Sequence, residues 1–165
     1  MEATTTSHFP KEGTDERDRF VPPRLSSQVG LRLRFAQAAV WSDLLETFRP
    51  FDMRPQHYAA LKIIESRPGC KQQDLGDSLG ISRSNLVMLI DDLVNPKLIE
   101  RRQNSEDRRS NALFLSHRGI TLLPELDRAQ LAHEARLAAL LGEEERSQLV
   151  SLLRKLTRLS EYRSG

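Results

Sequence analysis

The sequence predicts a mainly α-helical protein with a small β-wing: a winged helix-turn-helix with N- and C-terminal dimerisation helices. Three observations predict it. Residues 71–94 read as a helix, a tight turn and a second helix, residues 98–115 read as a charged hairpin, and long apolar stripes at helical spacing lie on both sides of this block.

Residues 1–27 are rich in Thr, Pro, Gly and alternating charge, including Asp15-Glu16-Arg17-Asp18-Arg19 and Pro22-Pro23. Such a composition buries too little apolar surface to order itself, so this stretch reads as a flexible tail, or as a segment that packs across a dimer partner. A first dimerisation helix is expected over residues 28–50. Its stripe is Val29, Leu33, Ala36, Val40, Leu44 and Phe48, and Trp41 and Leu45 widen it beyond one face, so this helix must cover two neighbours. Phe51 to Arg54 break the pattern. Pro55 is suited to the first position of a helix running from Gln56 to Ser66, which presents Tyr58, Leu61, Ile63 and Ile64 to a core and is closed by Pro68-Gly69.

The helix-turn-helix follows. Leu75 and Leu79 share one face of a short helix, and Gly76 permits a close helix approach. Gly80 ends that helix in the left-handed conformation, and Ile81 plugs the space between two steeply crossing helices. Ser82 is an N-cap for a second helix, Arg83 to Val94, whose buried face is Leu86, Leu89, Ile90 and Leu93. Its opening turn, Ser82-Arg83-Ser84-Asn85, holds no carboxylate. A helix stabilised for its own sake favours acids there, where the macrodipole is positive; one whose N-terminus meets phosphates and base edges excludes them. By residue type, Arg83 is a candidate for guanine and Asn85 for adenine, while Ser82, Ser84 and Gln73 suit phosphates.

Asn95-Pro96 stops the helix, and Leu98–Arg102 and Ala112–Leu115 read as two short strands. From Lys97 to Arg118 there are six Lys/Arg against three acids, an excess larger than the whole chain's net charge of +2. The positive charge is therefore placed rather than spread, as in a nucleic-acid-binding element. Arg101 and Arg108 are phosphate candidates. These elements set the DNA-binding domain at 53–116. Residues 117–162 are expected to be C-terminal dimerisation helices: one from His117 to about Leu141, capped by Ser116, kinked at Pro124 and ended by Gly142, then a last one with Leu149, Leu152, Leu156 and Leu159 as its seam. Glu143-Glu144-Glu145 are dipole partners at its start.

Composition narrows the function. With 38% hydrophobic and 29% charged residues, the chain is an ordinary soluble composition of one domain's length. No apolar run approaches the ~18 residues of a membrane span, and no apolar signal core is visible, so a cytoplasmic location is expected. Cys70 alone forms no disulfide framework, and His8, His57, His117 and His133 show no metal-site spacing. No nucleophile–base set or phosphate-cradling loop stands out, so neither a catalytic residue nor a cofactor is expected.

The chain resembles the multiple-antibiotic-resistance regulator (MarR) family of bacterial transcription factors. The resemblance lies in Gln73-Asp74-Leu75-Gly76 through Leu79-Gly80-Ile81-Ser82-Arg83, in Leu98–Arg102, and in Asp107-Arg108-Arg109-Ser110 with Leu113–Ser116 and Gly119, the Asp-x-Arg wing tip being the most specific part. It covers roughly residues 29–160. Asn95-Pro96-Lys97 departs from the family's Gly-containing turn. The resemblance implies a homodimer of interleaved terminal helices on palindromic operator DNA, with Arg109 in or beside the minor groove and Asp107 orienting it. It also implies an effector cleft between the dimer helices and the DNA-binding lobe, where Arg34, Trp41, His57 and Tyr58 are the candidates and an aromatic acid or its coenzyme A thioester is the expected ligand. Two alternatives stand beside it: a winged-helix protein-interaction module without sequence-specific DNA binding, and a thiol-redox regulator acting through Cys70.

Overall fold

In the computed structural model, residues 20–103 and 111–159 are described. The chain divides into two compact units, Met1–Trp41 and Ser42–Gly165. In the first, α1 (Pro23–Ser26) is a single turn opened by proline, inside the stretch expected to be a tail, and the Ser26 hydroxyl bonds the Pro23 carbonyl at 2.8 Å. The helix α2 (Val29–Phe48) begins in this unit, where Val29, Leu33 and Trp41 are exposed.

In the second unit, a short 3₁₀ helix (Arg49–Phe51) ends α2. The other elements are α3 (Pro55–Ser66), β1 (Cys70–Lys71), α4 (Gln72–Leu79), α5 (Arg83–Val94), β2 (Ile99–Gln103), β3 (Asn111–Leu115), α6 (His117–Leu141) and α7 (Glu143–Leu156). The three strands form an antiparallel sheet in the order β1-β3-β2, with Arg101 opposite Leu113 and Ile99 opposite Leu115. The strand β1 occupies what reads as a loop in the sequence: Cys70 pairs with Leu113 and Lys71 with Ala112. Two residues carry no periodicity, and only their pairing with a distant strand makes them one.

The core joins α3, α4, α5, the sheet and the first turns of α6 through Leu61, Ile64, Leu75, Ile90, Leu93, Leu113, Leu123 and Leu126, all essentially inaccessible. The expected face of α5, Leu86, Leu89, Ile90 and Leu93, is buried throughout. Tyr58 and Ile63 of α3 pack only partly against this core. Local signals act where expected. Gly80 takes φ +63° and closes α4, the Gly80 N–H bonding the Asp77 carbonyl and the Ile81 N–H the Gly76 carbonyl, both at 3.2 Å. The Ser82 hydroxyl accepts the Asn85 N–H at 3.4 Å, and the Ser116 hydroxyl accepts that of Gly119 at 3.0 Å. The helix α6 runs from His117 to Leu141 with Pro124 inside it.

The Asn95-Pro96-Lys97 turn closes α5 in the same way as Gly80 closes α4. The Leu98 N–H bonds the Leu93 carbonyl at 2.9 Å and the Lys97 N–H the Val94 carbonyl at 2.8 Å, which puts Lys97 where a glycine is usual, at φ +59°. Substituting Lys97→Gly removes the ~1–2 kcal/mol cost of a left-handed side-chain-bearing residue and adds ~0.5–1 kcal/mol of backbone entropy cost. The expected result is a gain of about 0.5–1 kcal/mol in urea unfolding; a loss instead shows that the turn stores no strain.

Gly119 has the opposite constraint. A Cβ there meets the Leu98 carbonyl oxygen at 2.2 Å, a backbone atom that also accepts the Ser116 N–H at 3.0 Å and so has little freedom to retreat. Gly119→Ala is expected to cost about 3 kcal/mol, the upper range for overpacking, and to lower the thermal midpoint by several degrees.

Candidate nucleic-acid interface and ligand cavity

The start of α5 stands in solvent. Arg83, Ser84 and Asn85 are exposed, and among the described residues Arg83 has no ion-pair partner within 4.0 Å. The Ser82 and Ser84 hydroxyls are 3.1 Å apart, so the N-cap is braced by its neighbour. Gln73 is exposed on the first turn of α4. The acids of α5 lie two turns on and point elsewhere: Asp91 is ion-paired with Arg101 of β2, and Asp92 lies 3.4 Å from the His57 Nε2. Arg101, a phosphate candidate by sequence, is thus bound to α5 itself. Arg102 instead lies over the Phe114 ring at 4.5 Å and bonds Glu100 at 3.0 Å, which gives the wing base a second ordered cation. Asp107, Arg108 and Arg109 lie outside the described residues.

A cavity of about 480 Å³ opens beside α5, lined by Leu45, Glu46, Arg49, Asp52, Met53, Arg54, His57 and Asp92. Of the four effector candidates His57 lines it. Tyr58 stacks on Phe48 with ring centroids 5.2 Å apart and donates its hydroxyl to Asp127 at 2.8 Å, so its polar end is already engaged. Burial and the Asp127 carboxylate push the Tyr58 pKa up to about 12. Arg34 and Trp41 are exposed on the part of α2 that belongs to the first unit. Sequence reasoning missed Arg49, Arg54 and Asp92. The two arginines flank the helix break and were a usable signal; nothing distinguishes Asp92 from Asp91 along the chain.

His57 has two roles. Its Nδ1 accepts the Arg54 backbone N–H at 3.1 Å, so the neutral ring carries its proton on Nε2, toward Asp92. The ring is buried, and that burial lowers its pKa against the opposing pull of Asp92. The folded state therefore holds this proton less readily than the unfolded chain. The stability from this site is fully present above the ordinary histidine value of 6.5 and is lost as pH falls through the lower folded pKa. Melting curves from about pH 7.5 to about pH 5 are expected to fall less steeply in His57→Gln than in the parent; parallel slopes would place the acid sensitivity elsewhere.

A second polar cluster fixes the last turns of α2 to α6. Asp43 bonds the buried His133 at 2.5 Å and Arg136 at 2.7 Å, and Arg136 also bonds Thr47 at 2.6 Å. The hydrogen bonds from Arg136 and then His133 hold the Asp43 carboxyl below its usual range. At Cys70 burial raises the thiol pKa, with Asp74 adding to the effect, which is the reverse of the electropositive setting that activates a sensing thiol.

A helix-turn-helix with an acid-free exposed N-terminus, followed by a sheet-borne wing, defines a DNA-binding transcriptional regulator. The MarR family's sequence pattern matches residues 51–110. The transcriptional repressor CouR, bound to a 23-mer DNA duplex, superposes with a TM-score of 0.80 at 33% identity over 82% of this chain and 96% of that one. CouR bound to p-coumaroyl-CoA gives 0.76 at 30% identity, covering 83% and 96%. A Thauera aromatica protein named as a transcriptional regulatory protein for the hcr operon is 26% identical over 152 residues, 92% of each chain. The chain belongs to the MarR family of transcriptional regulators.

Proposed function

We propose that the protein is a homodimeric repressor that occupies a palindromic operator and is released by an aromatic acid or its coenzyme A thioester. The observation that carries the DNA-reading part is the first turn of α5, exposed, free of acids, with the nearest carboxylate on that helix's outer side neutralised by Arg101. In this reading residues 53–116 read DNA. Arg83 and Asn85 reach base edges; Ser82, Ser84 and Gln73 set register on phosphates; Asp107, Arg108 and Arg109 form the wing tip, with Arg109 at the minor groove. Arg101 contributes by holding Asp91 rather than by its own phosphate bond.

Residues 28–50 and 117–162 then form the dimer. The support is apolar surface left uncovered in the single protomer: α7 has no buried residue, and Leu149, Leu152 and Leu156 are all more than 40% exposed, as are Leu131 and Leu140 of α6. A monomer seldom leaves so many large apolar side chains of two neighbouring helices in water. Two reading heads on a two-fold axis would meet major grooves ~34 Å apart.

The ligand would enter the cavity at His57, whose volume of about 480 Å³ suits an aromatic acid, with a coenzyme A tail extending into solvent. Arg54 is the cation for its carboxylate or thioester oxygen. The CouR complex with p-coumaroyl-CoA supports this ligand class. Because His57 and Asp92 link the cavity wall to α5, a ligand that draws on His57 shifts the helix that reads the DNA. A coupling of ~1–3 kcal/mol changes operator affinity by about 5–150-fold. Anisotropy on DNA flanking the protein's own gene, at fixed salt, with aromatic acids and their thioesters, tests the whole reading. Release by one class is expected, and tight binding unmoved by either class would remove the effector assignment.

A further inference from the structure

The outer face of α5 beyond its first turn is apolar. Val87 and Met88 are 49% and 59% exposed, although every apolar neighbour on the inner side of the helix, Leu86, Leu89, Ile90 and Leu93, is buried. Val87 follows Arg83 by four residues and Met88 follows Ser84 by four, so the pair continues the face on which the hydrogen-bonding side chains of the first turn stand. The next outward residues are Asp91, held by Arg101, and Asp92, which lies 3.4 Å from the His57 Nε2, so both carboxylates beside the apolar pair already have partners.

Neither residue belongs to the buried core. Val87 is stiff at its branched carbon and a poorer helix former than the Ala, Glu or Lys that a solvated position favours, and Met88 leaves a thioether in water. Single exposed apolar residues are ordinary. Two side by side on the face that presents Arg83 and Asn85 point to a ligand with both polar and apolar features. Base edges in the major groove have one apolar group, the C5-methyl of thymine.

We propose that Val87 and Met88 are specificity-determining residues that read thymine methyl groups in each operator half-site. The inference rests on the DNA-reading role proposed above. One helical turn advances about 5.4 Å, and base pairs rise about 3.4 Å, so these thymines lie within about two base pairs of the position that Arg83 contacts. Val87, short and rigid, fits a single methyl; Met88, longer and polarizable, packs over a methyl or between two.

The test uses the full chain. An operator is first enriched from random duplex DNA, and each dT in it is then replaced by dU, which removes the methyl and keeps the pairing edge. Affinities are measured by anisotropy at fixed salt for the parent, Val87→Ala and Met88→Ala. The expected result is a loss of about fourfold per methyl at one or two positions of each half-site, about 16-fold when one such position is changed in both halves, with one or both Ala variants weaker on dT DNA and indifferent to dU there. An enriched operator that tolerates dU everywhere, or dU penalties unchanged in both variants, overturns the inference and leaves the DNA-reading role intact. Failure to enrich any sequence overturns both. A shift of the monomer–dimer equilibrium in either variant, by sedimentation, assigns the face to a second copy of the chain instead.

Discussion

Arg83→Ala is expected to weaken operator binding by 30-fold or more while binding to random duplex changes far less. A bidentate contact to guanine is worth ~1–3 kcal/mol of discrimination, and a two-fold dimer makes it twice, giving about 2–6 kcal/mol in all. Arg83 stands in solvent at the first turn of α5 with no ion-pair partner among the described residues, so its removal leaves no buried group orphaned there and the fold has little reason to respond. Arg83→Lys separates the two ways an arginine can act: lysine keeps the charge and loses the planar fork. If the lysine variant recovers operator affinity fully, Arg83 is a phosphate contact. If alanine costs nothing on the operator, the DNA-reading assignment of α5 fails.

The second large effect is expected from the terminal helix. Leu152 and Leu156 stand one turn apart on α7, 55% and 41% exposed, and neither is needed by the protomer's own core. Changing both to Glu places four carboxylates in the proposed two-fold interface, where each unpaired charge costs several kcal/mol to desolvate. The variant is expected to retain its helical content by circular dichroism, to elute as a monomer in light-scattering chromatography, and to lose at least about 100-fold in operator affinity because the second reading head no longer binds at high effective concentration. A variant that stays dimeric would move the interface away from α7.

The helix-turn-helix was legible because its signals are local. Ser82, Gly80 and Ser116 act through hydrogen bonds and dihedral angles within a few residues of themselves, and the α5 stripe of Leu86, Leu89, Ile90 and Leu93 needs only helical periodicity to be recognised. The absence of acids from the first turn of α5 is equally a property of consecutive residues. The same reading set the first wing strand one residue early, at Leu98, whose N–H in fact closes the turn after α5 by bonding the Leu93 carbonyl.

The candidate cavity was less legible. His57 is a candidate through the cleft that the family resemblance implies, but its partner Asp92 lies 35 residues away on another helix, and adjacent aspartates of α5 are sent to different partners. Asp91 faces the wing and Asp92 faces α3 because neighbouring positions on a helix differ by about 100° in direction, and which neighbour stands at each angle is a matter of packing. Tyr58 shows the reverse: an aromatic side chain beside the site by sequence, whose hydroxyl is drawn to Asp127 on α6.

By itself, then, the sequence determined the order of the helices from α2 onward, the Gly80, Ser82 and Ser116 caps, the buried face of α5 and the placement of positive charge in the wing, since each depends on interactions spanning a turn or two of chain. Only the tertiary structure decided that Cys70-Lys71 is a strand, that Arg101 is held by Asp91, that Asp43 joins α2 to His133 and Arg136, and that Gly119 lies against the Leu98 carbonyl. Those contacts join residues brought together by the packing of separate elements, and a side chain's partner across such a gap is set by direction and distance in space, which the order of residues along the chain does not encode locally.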